Sequence, residues 1–346
     1  MMNTYQGTGS GPRIISWNVT ARCNLACAHC YIDADEHGSS GELDTIEGMA
    51  LIDQIAAVGR PILVLSGGEP LLRPDIFELA EYASGCGLAV AMGTNGILIT
   101  DAVAGRVKNA GIRKVAVSLD STDPGVHDTF RGTSGAWEKA VAGIRSLGRA
   151  GVPVQIHATL SGSDVTGIDG IIALGKDLGV RDYQFFFLVP TGRGEGLAAA
   201  PPEAHEAAIA RILAHAREPG LSVRPTCAPQ FVRVAARMGL DPSQWGRGCI
   251  AGTAYCRVTP TGDLTPCPYL PVPVGNIRER PFGDIWYGSG LLAALRDPDL
   301  LGGKCGRCEY RRICGGCRAR AYGSGDILAE DPCCPYEPGV SEVGYD

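Results

Sequence analysis

At 346 residues, with 45% hydrophobic and 20% charged side chains, the chain has the length for one large domain plus a smaller one and the apolar content for a sizeable core. Its formal charge of -6 speaks against a nucleic-acid partner, which a phosphate-tracking protein would meet with a net positive face. No apolar run approaches the roughly 18 residues of a membrane span, and "MMNTYQGTGSGPR" lacks the hydrophobic core of a secretory signal, so the expectation is a cytoplasmic protein.

Residues 1–12 read as a tail. Strands are expected at "RIISWNV" (13–19), "ILVLS" (62–66), "LAVAM" (88–92), "KVAVSL" (114–119), "VPVQIHATL" (152–160) and "YQFFFLV" (183–189), short apolar or β-branched runs of the kind found in buried parallel sheets. Between them lie segments with helical spacing, among them "TIEGMALIDQIAAVG", "DAVAGRVKNAG" and "GAWEKAVAGIRSLGRAG", several closed by glycine as helix C-termini often are. Six strand-then-helix units over 13–190 predict a parallel α/β domain, with right-handed crossovers and with reactive groups at the C-terminal ends of the strands. Six units rather than eight point to a partial (β/α)6 barrel open on one side, although the periodicity also fits an open doubly wound sheet.

Directly after the first strand comes "CNLACAHC", which places Cys23, Cys27 and Cys30 at C-x3-C-x2-C spacing. Fourteen cysteines in a reducing compartment serve metals more readily than disulfides. Three thiolates fit a four-iron cluster with one iron left for an outside ligand, since four protein thiolates would close it. The alternatives are a zinc site completed by His29, or three unrelated thiols. Further along, Cys86 in "ASGCG" reads as a small core residue, and His157 on the fifth strand as a satisfied core histidine or, alternatively, an iron ligand or cofactor contact. Residues 191–245 read as a linker and helical segment, with a helix over 202–217. Over 224–248, Arg224, Arg233, Arg237 and Arg247 against the single Asp241 form a local basic patch, either solvated helix charges or a holder for an anionic substrate. Cys227, between two prolines in "RPTCAP", is either structural filler or an active-site thiol. The remaining cysteines crowd into 246–346.

In this order the motifs resemble those of the radical S-adenosylmethionine (SAM) enzymes. "CNLACAHCY" follows strand one, "SGGEP" (66–70) strand two, "TNG" (94–96) strand three, and "VSLDS" (117–121) with "FRG" (130–132) strand four. The resemblance implies that Cys23, Cys27 and Cys30 hold a [4Fe–4S] cluster whose open iron chelates SAM, and that one electron then releases a 5′-deoxyadenosyl radical. It also implies that Gly67 and Gly68 let backbone approach SAM and that Glu69 receives its ammonium group. Ser118 and Asp120 would lie near the ribose, Arg131 near the SAM carboxylate and Tyr31 beside the adenine, with Asn95 a further cofactor contact. Taken singly, GGEP is an ordinary turn, and Ser or Asp after a strand a common helix cap.

The C-terminal cysteines resemble the SPASM extension of that superfamily. From Cys249 twelve residues lead to Gly262 and four more to Cys267, as its pattern requires, but Cys314 and Cys317 stand one residue closer than it does. SPASM proteins usually carry two auxiliary clusters, which implies three [4Fe–4S] clusters in all. Taken in chain order, Cys249, Cys256, Cys267 and Cys317 would make one set, and Cys305, Cys308, Cys314 and either Cys333 or Cys334 the other. A pair of zinc-ribbon-like sites is the alternative.

Nearly the whole chain, through "IISWNVT", "FFFLVPTGRG", "PTCAPQF", "GCIAG", "CGGCRARAY" and "AEDPCC", resembles the haem-biosynthesis group of SPASM enzymes. Members remove acetate side chains from a didecarboxylated sirohaem, act in haem d1 synthesis, or oxidatively decarboxylate two propionates of iron-coproporphyrin III to give haem b. The resemblance implies a tetrapyrrole substrate, with the preference falling on propionate decarboxylation, and an electron donor such as ferredoxin or flavodoxin. Arg193, Arg224 and Arg233 are then the candidates for holding substrate carboxylates. The rival readings are a peptide- or protein-modifying maturase and, more remotely, a non-catalytic iron–sulfur electron carrier.

Overall fold

The computed structural model describes residues 11–161 and 167–339; most of the expected tail, residues 162–166 before the helix that follows the fifth strand, and the last seven residues lie outside the described residues. Strands and helices alternate from the start: β1 (Ile14–Asn18), α1 (Thr45–Val58), β2 (Ile62–Ser66), α2 (Ile76–Gly85), β3 (Ala89–Thr94), α3 (Asp101–Asn109), β4 (Ile112–Ser118), α4 (Pro124–Arg131), α5 (Ala136–Ala150), β5 (Val154–Leu160), α6 (Gly167–Asp177), β6 (Asp182–Phe187) and α7 (Pro202–Ala214). The local chemistry is that read from the sequence. Asp44 and Glu47 close a capping box at the head of α1, and Gly151 ends α5 in the left-handed conformation that a side chain would resist.

All six expected strands form and pair in parallel, in sequence order. A seventh, β7 (Ser222–Thr226), joins β6 inside the stretch expected to be linker and helix. Its sequence SVRPT has no apolar run, and its proline is tolerated because β7 is an edge strand. After α8 (Phe231–Arg237), β8 (Tyr255–Val258) returns to the opposite side and pairs in parallel with β1; β9 (Asp263–Thr265) and β10 (Gly275–Asn276) follow antiparallel. The result is one ten-stranded sheet, ordered β10-β9-β8-β1-β2-β3-β4-β5-β6-β7, whose ends are free. Four further short helices, α9 (Phe282–Gly288), α10 (Gly290–Arg296), α11 (Gly303–Arg307) and α12 (Arg318–Gly323), complete the C-terminal region.

Side chains on β4 to β7 alternate. One set, including Val115, Ile156, Tyr183, Phe185 and Val223, is buried in the main core. The other set is half-buried and polar, and the register aligns four of its members in one row across the sheet: Ser118, His157, Gln184 and Arg224. This inner face is more polar than a sheet covered on both sides would allow.

Candidate active site

The cluster loop, residues 20–34, is gripped from several strand ends at once. Gly68 N donates to Thr20 O (2.8 Å) and Glu69 N to Arg22 O (2.8 Å). Gly67 has a φ of +141°, and a Cβ there would lie 3.2 Å from Thr20 N; at Gly68 it would lie 2.6 Å from the Arg22 carbonyl carbon. The two glycines, expected to let backbone approach SAM, also admit the backbone of the cluster loop itself. From the C-terminal end of α4, Phe130 O accepts from Ala28 N (3.0 Å), and a Cβ on Gly132 would meet Ala26 O at 2.6 Å. From the end of β6, Arg193 donates from Nε to Cys27 O (2.9 Å) and from Nη1 to Ala34 O (2.9 Å), while its N–H donates to Cys30 O (3.0 Å).

Within this loop Cys23 and Cys27 are buried with Leu25, Ala34 and Ala136, and Cys30 packs against them. Burial pushes the Cys23 thiol up to about 11 and raises Cys27 as well. Desolvated thiols ionise when a cation or metal is present to receive the charge, so this donor set suits a cluster. Arg131 Nη1 reaches toward Cys27 Sγ (3.9 Å) and supplies part of that field. His29, the alternative fourth zinc ligand, stacks on Phe130 at 4.1 Å, and desolvation lowers its pKa to about 3.

The expected SAM contacts divide into two kinds. Glu69 is fully buried, and its carboxylate accepts from Thr94 Oγ1 (2.8 Å), Asn95 N (2.9 Å) and Leu71 N (3.1 Å). Its pKa is pushed up to about 7 by burial, so a nearby ammonium group would draw out the charged form. Asn95 ties this knot to the cluster loop through Asn24 Oδ1 (2.8 Å). Asp120, expected near the ribose, is clamped by Arg131 (2.6 and 2.9 Å) and accepts Thr159 N (2.9 Å), so the two residues hold each other. Ser118 stays half-exposed on the inner face. Tyr31 turns toward the C-terminal region: its hydroxyl accepts from Asn18 Nδ2 (2.9 Å), and its ring lies 5.4 Å from Tyr269 and beneath Arg257.

The C-terminal cysteines fall into two groups. Cys305, Cys308, Cys314 and Cys334 line one pocket; Cys333 does not belong to it. Cys305 Sγ there accepts from Asp331 N (3.4 Å) and Arg318 Nη2 (3.8 Å). Cys267 and Cys317 pack in one small cluster with Cys227, and Cys249 lies near enough to raise the thiols of all three, so these four form the second group. Cys256 is not brought there. It faces the main core from β8, fully buried, with Arg296 near enough to act on it. Chain order misassigns it because β8 must pair with β1, and that register turns Cys256 the same way as Ile15. Among the described residues no three Cys, His, Asp or Glu side chains converge tightly enough to hold a single ion.

The three substrate arginines are not brought together. Arg193 gives Nε and Nη1 to the cluster loop and keeps Nη2 buried without a partner among the described residues, and Arg233 is buried against Glu206 and lies 4.7 Å from the centre of the Tyr336 ring. Arg224 ends the polar row, with one nitrogen on Trp245 O (2.6 Å). His157 in that row bonds Gln155 through Nε2 (2.7 Å), and desolvation lowers its pKa to about 4. Arg257 was missed: it lies on β8 opposite Ser16, with its Nε buried and unpartnered, and only the β8–β1 pairing reveals it.

The sequence matches the model of the radical SAM superfamily over residues 17–170 and that of an iron-sulfur cluster-binding domain, SPASM, over 249–318. It is 43% identical over 342 residues to an AdoMet-dependent heme synthase of Methanosarcina barkeri, covering 95% of this chain and 98% of that one. It is 33% identical over 352 residues to a pre-heme d1 synthase of Dinoroseobacter shibae, covering 94% and 87%. In fold it is similar to SuiB of Streptococcus suis bound to S-adenosylmethionine, with a TM-score of 0.76 over 94% of this chain and 78% of that chain at 16% identity.

Proposed function

The chain belongs to the radical SAM superfamily, in the branch that carries a SPASM iron–sulfur domain, and from that premise we propose that it is a haem synthase that converts propionates of iron-coproporphyrin III to vinyl groups. The observation that carries this reading is the 43% identity, across nearly the full length of both chains, to a protein named for that product. Cluster and SAM, when bound, would supply a 5′-deoxyadenosyl radical able to take one hydrogen from a propionate, whose loss of carbon dioxide and of one electron to an acceptor would leave the vinyl.

The protein's own share of the work is positioning, where an error of about 1 Å can cost about a hundredfold in rate. Cys23, Cys27 and Cys30 hold the SAM cluster, and the two C-terminal cysteine groups hold two auxiliary clusters, making three. Glu69 receives the SAM ammonium group and Ser118 the ribose. The substrate lies over the inner face, its carboxylates held by Arg224 at one end and Arg257 at the other. The half-buried polar row and the unpartnered Nε of Arg257 support that placement. Ferredoxin or flavodoxin supplies the electron.

The test is anaerobic turnover of reconstituted protein with SAM, reductant and either iron-coproporphyrin III or didecarboxysirohaem, followed by mass spectrometry. Loss of carbon dioxide and two hydrogens per reacted side chain is expected from the first. Acetate removal from the second would shift the assignment within the haem group. Absence of iron-porphyrin binding in an optical titration would replace it with the peptide-maturase reading.

A further inference from the structure

Chain order leaves the first auxiliary group one ligand short once Cys256 is seen to face the core. Three independent observations meet at Cys227. First, it packs with Cys267 and Cys317 in a small cluster that also holds Val189, Leu270 and Ala319. Second, its φ is +60°; among the described residues only Asp33, in the cluster loop, shares such a value outside glycine. A cysteine held in the left-handed region is strained, and such strain persists where the surroundings impose it. Third, the surroundings are built to do so. Gln230, three residues on, donates to Asp331 Oδ2 (3.2 Å), which also takes Cys317 N (2.8 Å). Asp331 in turn grips Arg320 through Nε and Nη2 (2.9 and 3.0 Å).

That grip leaves Arg320 Nη1 buried without a partner among the described residues, and its charge acts on Cys227 and Cys317 alike. Arg247 contributes a second unpartnered buried nitrogen, Nε, on a side chain that flanks Gly315 beside Cys249. Two buried guanidinium nitrogens left without partners suit a site that carries negative charge, as thiolates bound to iron would, better than one of four uncharged thiols.

We propose that Cys227 is the fourth thiolate of the first auxiliary cluster, completing Cys249, Cys267 and Cys317 in the place that chain order gives to Cys256. The strand-end loop "PTCAPQ" thereby becomes part of the iron–sulfur site, and the cluster fastens the end of β7 to the C-terminal region. This rests on the reading that both C-terminal groups bind iron.

The test is made in a Cys23→Ala/Cys27→Ala/Cys30→Ala background, so that only auxiliary iron is counted. In that background the parent is expected to bind about eight irons. Cys227→Ala is expected to lose about four, or to keep them with an altered electron paramagnetic resonance signal after reduction, while Cys256→Ala matches the parent in both. Cys227→Asn guards against a folding defect, because asparagine tolerates the left-handed conformation. A purely structural Cys227 predicts that the Asn variant keeps full iron and an unchanged or higher melting temperature, and the proposal predicts that it loses iron. Full iron and an unchanged spectrum in both Cys227 variants, or iron loss in Cys256→Ala, overturns the assignment. A parent that binds no auxiliary iron overturns the assignment together with the reading beneath it.

Discussion

Replacing Gly68 with alanine tests whether the glycine motif serves the cluster loop or the cofactor. The added Cβ would stand 2.6 Å from the carbonyl carbon of Arg22 and closer still to its oxygen. That is about 1 Å inside ordinary carbon–carbon contact. Neither partner is a flexible side-chain end, so backbone must move. Overpacking of this kind costs about 1–3 kcal/mol. The movement also strains the hydrogen bonds from Gly68 N and Glu69 N that pin Thr20 and Arg22, each contributing about 1 kcal/mol. A total loss of about 3–5 kcal/mol is therefore expected in the metal-free protein, a large part of an ordinary domain's stability. Because Arg22 adjoins Cys23, reconstituted iron should fall too. The assay is chemical denaturation of apo protein together with an iron count. Gly105→Ala in α3, where nothing lies within 4 Å of the new carbon, is the control and should be neutral or stabilising by up to about 1 kcal/mol. Gly68→Ala with the parent's stability and full iron, but weaker SAM binding, would refute the packing argument and restore the cofactor one.

Glu69 gives a pH signature. Its folded pKa of about 7 lies above its ordinary 4.5, so the native state holds the proton more tightly. Its contribution to stability is full below pH 4.5 and declines as pH rises to about 7, by at most about 1.4 kcal/mol per unit. Urea unfolding of apo parent and Glu69→Gln across pH 5 to 8 should diverge accordingly, and parallel curves would contradict the burial argument. Arg193→Leu should lower the iron of the SAM cluster, since it removes two side-chain bonds to the loop, and Arg193→Lys should restore part of it. Arg224→Leu and Arg257→Leu should each leave that iron intact and weaken iron-porphyrin binding in an optical titration. Full iron with poor pigment binding in Arg193→Leu would return that residue to the substrate.

The six central strands and the order of the loops were legible because both depend on short windows of sequence: a run such as ILVLS needs no partner to be recognised, and CNLACAHC carries its chemistry in its spacing. What escaped depends on pairing over long distances. β7 has arginine and proline among its five residues and becomes a strand only because β6 offers it an edge. Cys256 fits a cysteine pattern and is withdrawn from it by the β8–β1 register. The choice of Cys334 over Cys333 depends on which of two adjacent side chains enters a pocket that no local pattern describes. Arg193 has the chemistry of a carboxylate holder, and what diverts it is a set of carbonyls more than 150 residues away in the chain.

The same pairing gives the two ends of the chain a mechanical relation that sequence order hides. β8 continues the sheet beyond β1, so the strand that leads into the first cysteine loop is hydrogen-bonded to the strand that opens the C-terminal iron–sulfur region. Tyr31, immediately after Cys30, lies 5.4 Å from Tyr269, two residues beyond Cys267, and Arg257 stands over it. The radical-forming loop and an auxiliary cysteine group are thus joined by a wall of aromatic rings and one cation, fixed by backbone pairing rather than by a linker. A flat, carboxylate-bearing ring gains from such a wall both apolar contact and a charge partner. The β8–β1 pairing thereby brings residues widely separated in the chain to the positions that a radical reaction demands.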